Sequence, residues 1–177
     1  ALFLYNQILD HDRIAEISSA YLGAQFTNEE IIDTLKKKNI TYSILSDEDL
    51  FEIVASRLVD GSVVGWFQGR SEFGPRALGH RSILLDPRRK DAKDLLNKKI
   101  KRRESFRPFA PSILKSAISD YFIDASFTPF MEKVFSVKKE KKQKIPAVTH
   151  VDGTGRLHSV DQKVSPKYYQ LIRKFEE

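Results

Sequence analysis

The sequence predicts one α/β or α+β domain with a mixed β-sheet. Its 177 residues include 41% hydrophobic side chains, which is enough for a buried core and too many for a disordered chain. Predicted helices and strands alternate in the first half, whereas predicted strands gather in the second half. No repeat or linker divides the chain, so we expect residues 1–177 to form a single domain.

Composition excludes several classes of protein. The absence of Cys removes disulfide bonds, thiolate zinc sites and cysteine nucleophiles, and it fits a reducing, cytoplasmic environment. No apolar stretch approaches the roughly 18 residues of a membrane span, and no secretion-signal pattern occurs at the start. Because the first residue is Ala1 rather than Met, we expect the chain to be a piece of a longer protein.

Helix start and stop signals occur in four places. Thr27 and Glu30 match a capping box, and Ser46 precedes an acidic first turn in a segment that ends at Gly61. Near the C-terminus, Pro166 suits the first turn of a closing helix. The predicted helices span residues 28–38, 47–60, 91–100 and 166–175.

Short apolar runs between these helices predict strands. We expect residues 148–151 and 156–160 to form a hairpin around the turn at 152–155, and the lysine-rich segment 138–144 to be a solvated loop. The other predicted strands span residues 41–45, 63–68, 82–85, 109–114 and 131–137.

Charge is distributed unevenly along the chain. Residues 1–60 carry 5 Lys and Arg against 11 Asp and Glu, whereas residues 61–177 carry 25 against 13, which leaves the second part at +12. Such a split favours an anionic partner for the second part, such as a phosphorylated small molecule or a nucleic acid. The alternative is a set of solvated basic faces without a partner.

The most informative motif follows the predicted strand at 63–68. Residues 69–82 contain Arg70, Arg76 and Arg81, three glycines and one carboxylate, that of Glu72, which could orient an arginine or form an internal ion pair. Glycine lets backbone amides approach a ligand closely, and the arginine side chain matches phosphate or carboxylate oxygens. The pattern predicts an anion site and differs from a Walker loop. The alternative is a tight turn with exposed arginines.

A second basic cluster contains Lys101, Arg103 and Arg107, interleaved with Phe106 and Phe109. We expect the two rings to anchor the loop in the core, while the cationic side chains face a cleft. Basic residues alternating with aromatic ones also suit single-stranded nucleic acid, whose bases stack on such rings.

A third cluster places His150, Asp152 and Arg156 around a glycine turn. These side chains could serve as acid, base and phosphate-binding groups, or Asp152 and Thr154 could only form the local hydrogen bonds of the turn. No metal site is predicted, because the histidines lack ligand spacing. They are His11, His80, His150 and His158.

These three clusters, in this order, resemble the C-terminal domain of the O-carbamoyltransferase family, which includes enzymes that carbamoylate nodulation factors and antibiotics. The resemblance runs from about residue 63 to residue 175, and residues 1–60 fit it only loosely. It implies a YrdC-like fold, which is an open twisted mixed sheet with flanking helices. The matching blocks are residues 65–70, 72–79, 81–83, 86–88, 103–111, 129–131 and 145–154.

The resemblance implies that the chain binds carbamoyl phosphate and ATP, with Mg²⁺ brought by the nucleotide, and forms carbamoyl-adenylate. An actin-like or sugar-kinase-like N-terminal domain with a histidine-bound iron would then transfer the carbamoyl group to an acceptor hydroxyl. Nothing in this sequence resembles that domain, so we expect it to precede this chain in a longer protein. The sequence therefore does not identify the acceptor.

The resemblance also implies roles for individual residues. The catalytic contacts to phosphate and carbamoyl oxygens come from Arg70, Arg76 and Arg81, with Ser82 beside them. The contacts to nucleotide phosphates come from Lys101, Arg103 and Arg107. The closing rim of the site consists of His150, Asp152 and Arg156. His80 stands where family members often carry Asn, and it is left out of the predicted site.

Two other functions compete with this one. The basic second part and the YrdC relationship also suit an RNA-binding module, although nucleic acid is not the partner we expect. A non-catalytic scaffold that docks the missing domain is the third possibility. No membrane association is expected.

Overall fold

Helices and short strands alternate in an α+β arrangement, as the sequence predicts. The computed structural model describes residues 2–13, 17–102, 104 and 108–177. The helices are α1 (Asn28–Lys37), α2 (Asp47–Val59), α3 (Ala92–Leu95), α4 (Ile118–Tyr121) and α5 (Pro166–Glu176). The strands are β1 (Val64–Phe67), β2 (Arg81–Leu84), β3 (Ser112–Leu114), β4 (Val134–Ser136), β5 (Thr154–Arg156) and β6 (His158–Val160). Shorter helical turns are Leu4–Ile8, Leu96–Lys101, which continues α3, and Lys115–Ala117.

The longer helices begin at the capping residues that the sequence indicates. The Glu30 amide donates to the Thr27 hydroxyl at 3.2 Å, and the Thr27 amide donates to the Glu30 carboxylate at 2.7 Å. The Asp49 amide donates to the Ser46 hydroxyl at 3.1 Å, and Pro166 opens α5. The predicted helices at 28–38, 47–60, 91–100 and 166–175 are therefore confirmed, the third of them as α3 with its π-helical continuation.

The strands pair in twos. β1 pairs with β2 and β4 pairs with β5, both antiparallel, whereas β3 and β6 are parallel. Parallel and antiparallel pairings thus occur together, and the arrangement is consistent with the YrdC-like fold that the resemblance implies. The predicted strands at 63–68, 82–85, 109–114 and 131–137 are confirmed in shorter form as β1 to β4.

Two predicted strands are wrong. Residues 41–45 form no strand, because an apolar run becomes one only where a neighbouring strand supplies hydrogen bonds. Residues 148–151 form turns, since the Gly153 amide donates to the His150 carbonyl at 3.0 Å and closes the chain there. The predicted hairpin is therefore also wrong, and β5 pairs with β4 instead.

Apolar side chains form two clusters. The first joins α2, β1, β6 and α5, and the second joins α3, α4, β4 and the turns that precede β5. Tyr168 belongs to the first cluster and Val148 to the second. The loop between β1 and β2 rests on the first cluster through Tyr168, whereas the turn at 149–153 follows the second cluster.

The charged segment 138–144 forms turns, as predicted for a solvated loop. Within the part of the chain that the structure describes, no helix has both the length and the apolar character required to cross a membrane.

Candidate functional site

The loop between β1 and β2, residues 68–80, contains the predicted anion motif. Antiparallel pairing sets Phe67 opposite Arg81, so the two ends of the loop lie side by side. Gly79 has a φ of 92°, and a Cβ at that position would collide with the ring of Tyr168 in α5. Glycine is therefore required there for both backbone conformation and packing.

The carboxylate of Glu72 organises this loop. Its Oε1 accepts hydrogen bonds from the amides of Leu78 at 2.7 Å, His80 at 3.0 Å and Arg81 at 3.2 Å. Burial alone would raise the pKa of Glu72, but the three amides outweigh it and lower the pKa. From the sequence alone, Glu72 could either orient an arginine or form an internal ion pair. The structure shows that it binds the backbone, and these three amides are directed at the protein's own carboxylate.

His80 fastens the loop to the start of α5. Its Nδ1 donates to the carbonyl of Arg70 at 2.7 Å, and its Nε2 lies 3.0 Å from the hydroxyl of Ser165. Burial lowers the pKa of His80, which keeps the imidazole neutral and fits an Nε2 that accepts. The ring also stacks on Tyr21, with centroids 3.5 Å apart. His80 thus links the loop to α5 and to Tyr21.

Arg70 and Arg81 brace the loop through backbone carbonyls. Arg70 donates to the carbonyls of Leu22 at 2.7 Å and Gly23 at 3.1 Å. Arg81 donates to the carbonyls of Gln68 at 2.5 Å and Gly69 at 3.0 Å, and its guanidinium lies 3.5 Å above the centre of the Phe67 ring. These bonds fix the side chains without neutralising their charge.

Arg76 occupies the middle of the loop and is half-buried. Its side chain makes no hydrogen bond, ion pair or ring contact with any residue that the structure describes. Ser82 is the fourth residue predicted for this anion site, and its hydroxyl accepts a hydrogen bond from the Gly79 amide at 2.8 Å. Across the described residues, no carboxylate pairs with Arg70, Arg76 or Arg81, so the loop carries uncompensated positive charge.

The predicted rim residues form a separate turn. The Asp152 carboxylate accepts from the Thr154 amide at 2.9 Å and from its hydroxyl at 2.7 Å, which are the local bonds that the sequence left as an alternative. His150 Nδ1 lies 3.0 Å from the Thr154 hydroxyl, and its buried Nε2 has no hydrogen-bond partner among the described residues. Burial lowers the pKa of His150, helped by nearby Lys93 and Arg156 and opposed by Asp152.

The structure does not bring all predicted site residues into contact. No hydrogen bond, ion pair or ring contact among the described residues joins the loop at 68–80 to the turn at 149–153. Arg156 lies in β5, half-buried and opposite Val134. Arg103, Arg107 and the side chain of Lys101 lie outside the described residues. Among those described, no group of His, Asp and Glu could hold a metal ion.

The sequence did not reveal the residues that support the loop from a distance. Tyr21 donates to the Leu78 carbonyl at 2.7 Å, and residues 22–24 accept from the arginines. Residues 1–25 show no helix or strand pattern, so nothing in that segment signalled this role. The sequence indicated Ser165 only as the residue before α5, and not as a partner of His80.

Comparisons with known proteins identify the family and several relatives of this chain. The sequence profile of the family described as Carbamoyltransferase C-terminus matches residues 55–177. An uncharacterized protein of Synechocystis sp. is 44% identical over 99% of this chain and 33% of its own length. Nodulation protein NolO of Bradyrhizobium diazoefficiens is 42% identical over 91% of this chain and 30% of NolO. Nodulation protein NolNO of Sinorhizobium fredii is 46% identical over 72% of this chain and 19% of NolNO.

The chain therefore spans a third or less of the length of these relatives. The match to the family profile includes the whole loop between β1 and β2 and continues to the last residue of α5. The resemblance that the arginine motifs indicated is confirmed, and the chain belongs to the C-terminal family of the carbamoyltransferases.

Proposed function

We propose that this chain binds carbamoyl phosphate and ATP and forms carbamoyl-adenylate. The observation that carries the proposal is the uncompensated charge of Arg70, Arg76 and Arg81, which lack a carboxylate partner among the described residues. Carbamoyl phosphate and ATP are both polyanions, and a guanidinium matches the geometry of phosphoryl oxygens. A bound phosphate would supply the counter-charge that the fold does not.

The proposed reaction joins the carbamoyl group to adenylate. Water releases phosphate from carbamoyl phosphate and leaves carbamate. A carbamate oxygen then attacks the α-phosphorus of ATP, and the bond from that phosphorus to the pyrophosphate oxygen breaks. One phosphate and one pyrophosphate leave for each carbamoyl-adenylate. Because negative charge builds on phosphoryl oxygens in both steps, cationic groups that are already in position lower both barriers.

The arginines have two parts in this proposal, one for Arg76 and one shared by Arg70 and Arg81. Arg76 contacts the phosphate directly, because its side chain has no other partner among the described residues. Arg70 and Arg81 contribute positive potential from fixed positions, since their hydrogen bonds to carbonyls leave their charge intact. The Ser82 hydroxyl lies beside them as a further contact.

The remaining site residues enter the proposal through the family resemblance. Lys101, Arg103 and Arg107 bind the nucleotide phosphates, and Mg²⁺ arrives with the nucleotide. His150, Asp152 and Arg156 form the rim. Because no hydrogen bond, ion pair or ring contact of the described residues joins this turn to the β1–β2 loop, the ligand itself would have to bridge the two.

Transfer to an acceptor belongs to the rest of the protein in this proposal. The chain, folded as one domain, would work with an N-terminal actin-like or sugar-kinase-like domain that holds the iron, in the cytoplasm. This division is supported by the relatives, which are at least three times as long as the matched region.

Calorimetry and product analysis test the proposal. Carbamoyl phosphate and a non-hydrolysable ATP analogue are titrated separately into the chain, and each is expected to give saturable one-site binding. Pyrophosphate release from ATP is then measured with and without carbamoyl phosphate, and it is expected only when both are present. Acetyl phosphate is the matched control for a phosphate without the carbamoyl amide.

Absence of binding by both substrates would contradict the proposal. Tight RNA binding with a steep salt dependence, in place of substrate binding, would favour the nucleic-acid alternative. If pyrophosphate is released equally without carbamoyl phosphate, the proposed ATP site stands but the proposed formation of carbamoyl-adenylate is wrong.

A further inference from the structure

Glu72 lies next to the proposed phosphate-binding arginine in sequence but binds only the backbone. Three residues separate it from Arg76, and its carboxylate accepts hydrogen bonds from three amides that follow Arg76 in the chain. The hydrogen-bond distances of 2.7–3.2 Å lie in the normal range for N–H···O bonds, and all three bonds converge on one carboxylate oxygen. The segment between Glu72 and Leu78 is therefore closed into a ring by a side chain.

Arg76 lies inside that ring, and few other contacts fix its backbone. Gly74, with a φ of 121° and open space around it, leaves the chain free to bend before Arg76. Pro75 fixes only its own φ and contributes no amide. Two residues after Arg76, both polar backbone groups of Leu78 are held, the amide by Glu72 and the carbonyl by Tyr21.

We propose that Glu72 is a positioning residue, whose carboxylate holds the segment from Leu78 to Arg81 so that Arg76 is presented to the phosphate. The inference rests on the proposed function for its ligand, but its structural part is independent of any ligand. Without this acceptor, three buried or half-buried amides lose their partner and the loop samples other conformations. Affinity for an anion falls by the fraction of time that the loop is not in the binding conformation.

The role predicts different behaviour for three variants. Glu72→Gln retains a carbonyl oxygen at the same position, so the loop and the affinity for carbamoyl phosphate stay within about threefold of wild type. Glu72→Asp keeps the charge but withdraws the oxygen by one methylene, and Glu72→Ala removes it. Both lower the affinity about tenfold, as expected if the binding conformation becomes a minor one. A role based on the negative charge alone predicts a different order, because Gln and Ala would then both strengthen anion binding and Asp would leave it unchanged.

Two measurements on wild type, the three Glu72 variants and one control variant test the inference. Amide hydrogen exchange, followed by NMR without ligand, reports the protection of Leu78, His80 and Arg81. Calorimetry reports carbamoyl phosphate affinity, and Glu132→Ala, which removes an exposed glutamate elsewhere, is the charge-matched control. We expect fast exchange and weak binding in the Asp and Ala variants, with slow exchange and near-normal binding in Gln and in the control.

Each other outcome counts against one specific claim. Fast exchange in Glu72→Ala with unchanged affinity overturns the positioning role. Weak binding by Glu72→Gln despite slow exchange also overturns it, because the loop is then formed without function. If wild type binds no carbamoyl phosphate, the proposed function fails, and the exchange data alone still show whether Glu72 holds the loop. If Glu72→Ala does not fold, the Asp and Gln variants carry the comparison.

Discussion

Two arginine-bearing turns lie close together in the sequence and use their charge differently. In the turn at Asp86–Asp91, Arg88 pairs with Asp86 at 2.7 Å and Arg89 pairs with Asp91 at 2.6 Å. In the loop between β1 and β2, the arginines bind carbonyls or have no described partner. Both arginines of the first turn are paired with carboxylates, whereas those of the loop retain their positive charge.

The difference shows how to separate a structural arginine from a ligand-binding one. Arg88 donates to both oxygens of the Asp86 carboxylate, and Asp86 is only 4% exposed, so the charge of Arg88 is neutralised within the fold. Arg76 is half-buried and pairs with no carboxylate of the described residues, although burying an uncompensated charge is costly. Such a cost is typical of a site that binds an anion.

The largest expected effect concerns the packing that fixes the arginine loop. Gly79→Ala combines strain at a φ of 92° with a collision against Tyr168, so we expect a loss of about 3 kcal/mol or more in the free energy of unfolding. Gly74→Ala, in the same loop with open space around it, should lose only about 1–2 kcal/mol from backbone strain. Denaturant unfolding measures both. Equal losses would show that packing under the loop is unimportant.

The next effect tests the support beneath that loop at low pH. Burial lowers the pKa of His158 from 6.5 to about 4, and its ring stacks with Tyr168. Since the folded pKa lies below the unfolded one, the stabilising contribution is complete above pH 6.5 and disappears as the pH falls to about 4. The loss is about 3 kcal/mol. Unfolding by urea across this range should show a fall in stability in wild type and in His11→Asn, and a fall smaller by about 3 kcal/mol in His158→Asn, where His80 and His150 still contribute. An equal fall in His158→Asn and in wild type would contradict this assignment.

A ligand-dependent effect of intermediate size is expected at the unpartnered arginine. Arg76→Gln removes charge-assisted bonds worth about 2 kcal/mol, which lowers the affinity for carbamoyl phosphate about 30-fold. Arg57→Gln removes the same charge from an exposed position in α2 and should leave the affinity unchanged. Calorimetry at one ionic strength measures both variants. A similar loss in both would mean that only the overall charge matters.

The smallest effect concerns the turn at Asp86–Asp91. Arg88→Gln leaves the buried Asp86 carboxylate with the backbone amide of residue 88 as its remaining hydrogen-bond donor among the described residues, at 2.8 Å. Because Arg88 itself is half-exposed, solvent reduces the penalty, and we expect a stability loss of about 1–2 kcal/mol. Carbamoyl phosphate affinity should not change. A large loss of affinity in this variant would remove the distinction between the two turns.

The sequence predicted local features well and long-range pairings poorly. Thr27, Ser46 and Pro166 place helix starts through contacts within one turn, and these are visible in the sequence. Residues 41–45 and 148–151 looked like strands because their apolar pattern was correct, but a strand requires a partner that local pattern does not specify. β5 lies about 20 residues beyond its partner β4.

The candidate site shows the same limit. The strand and the glycine- and arginine-rich loop were predictable from the sequence pattern, and the family was predictable from the resemblance of its motifs. The sequence could not show which arginine makes hydrogen bonds within the fold. The acceptors of Arg70 are the carbonyls of Leu22 and Gly23, and every residue type has a carbonyl. The role of Glu72 was also hidden, because its partners are backbone amides.

The most direct test of the central claim compares the two turns within one unmodified molecule. Arginine side-chain Nε–Hε signals are assigned by NMR, and carbamoyl phosphate is added in steps. The account predicts that the Arg76 signal shifts with saturation, whereas the signals of Arg88 and Arg89 stay in place because their carboxylate partners hold them. A fixed Arg76 signal, or equal shifts in all three, would contradict it.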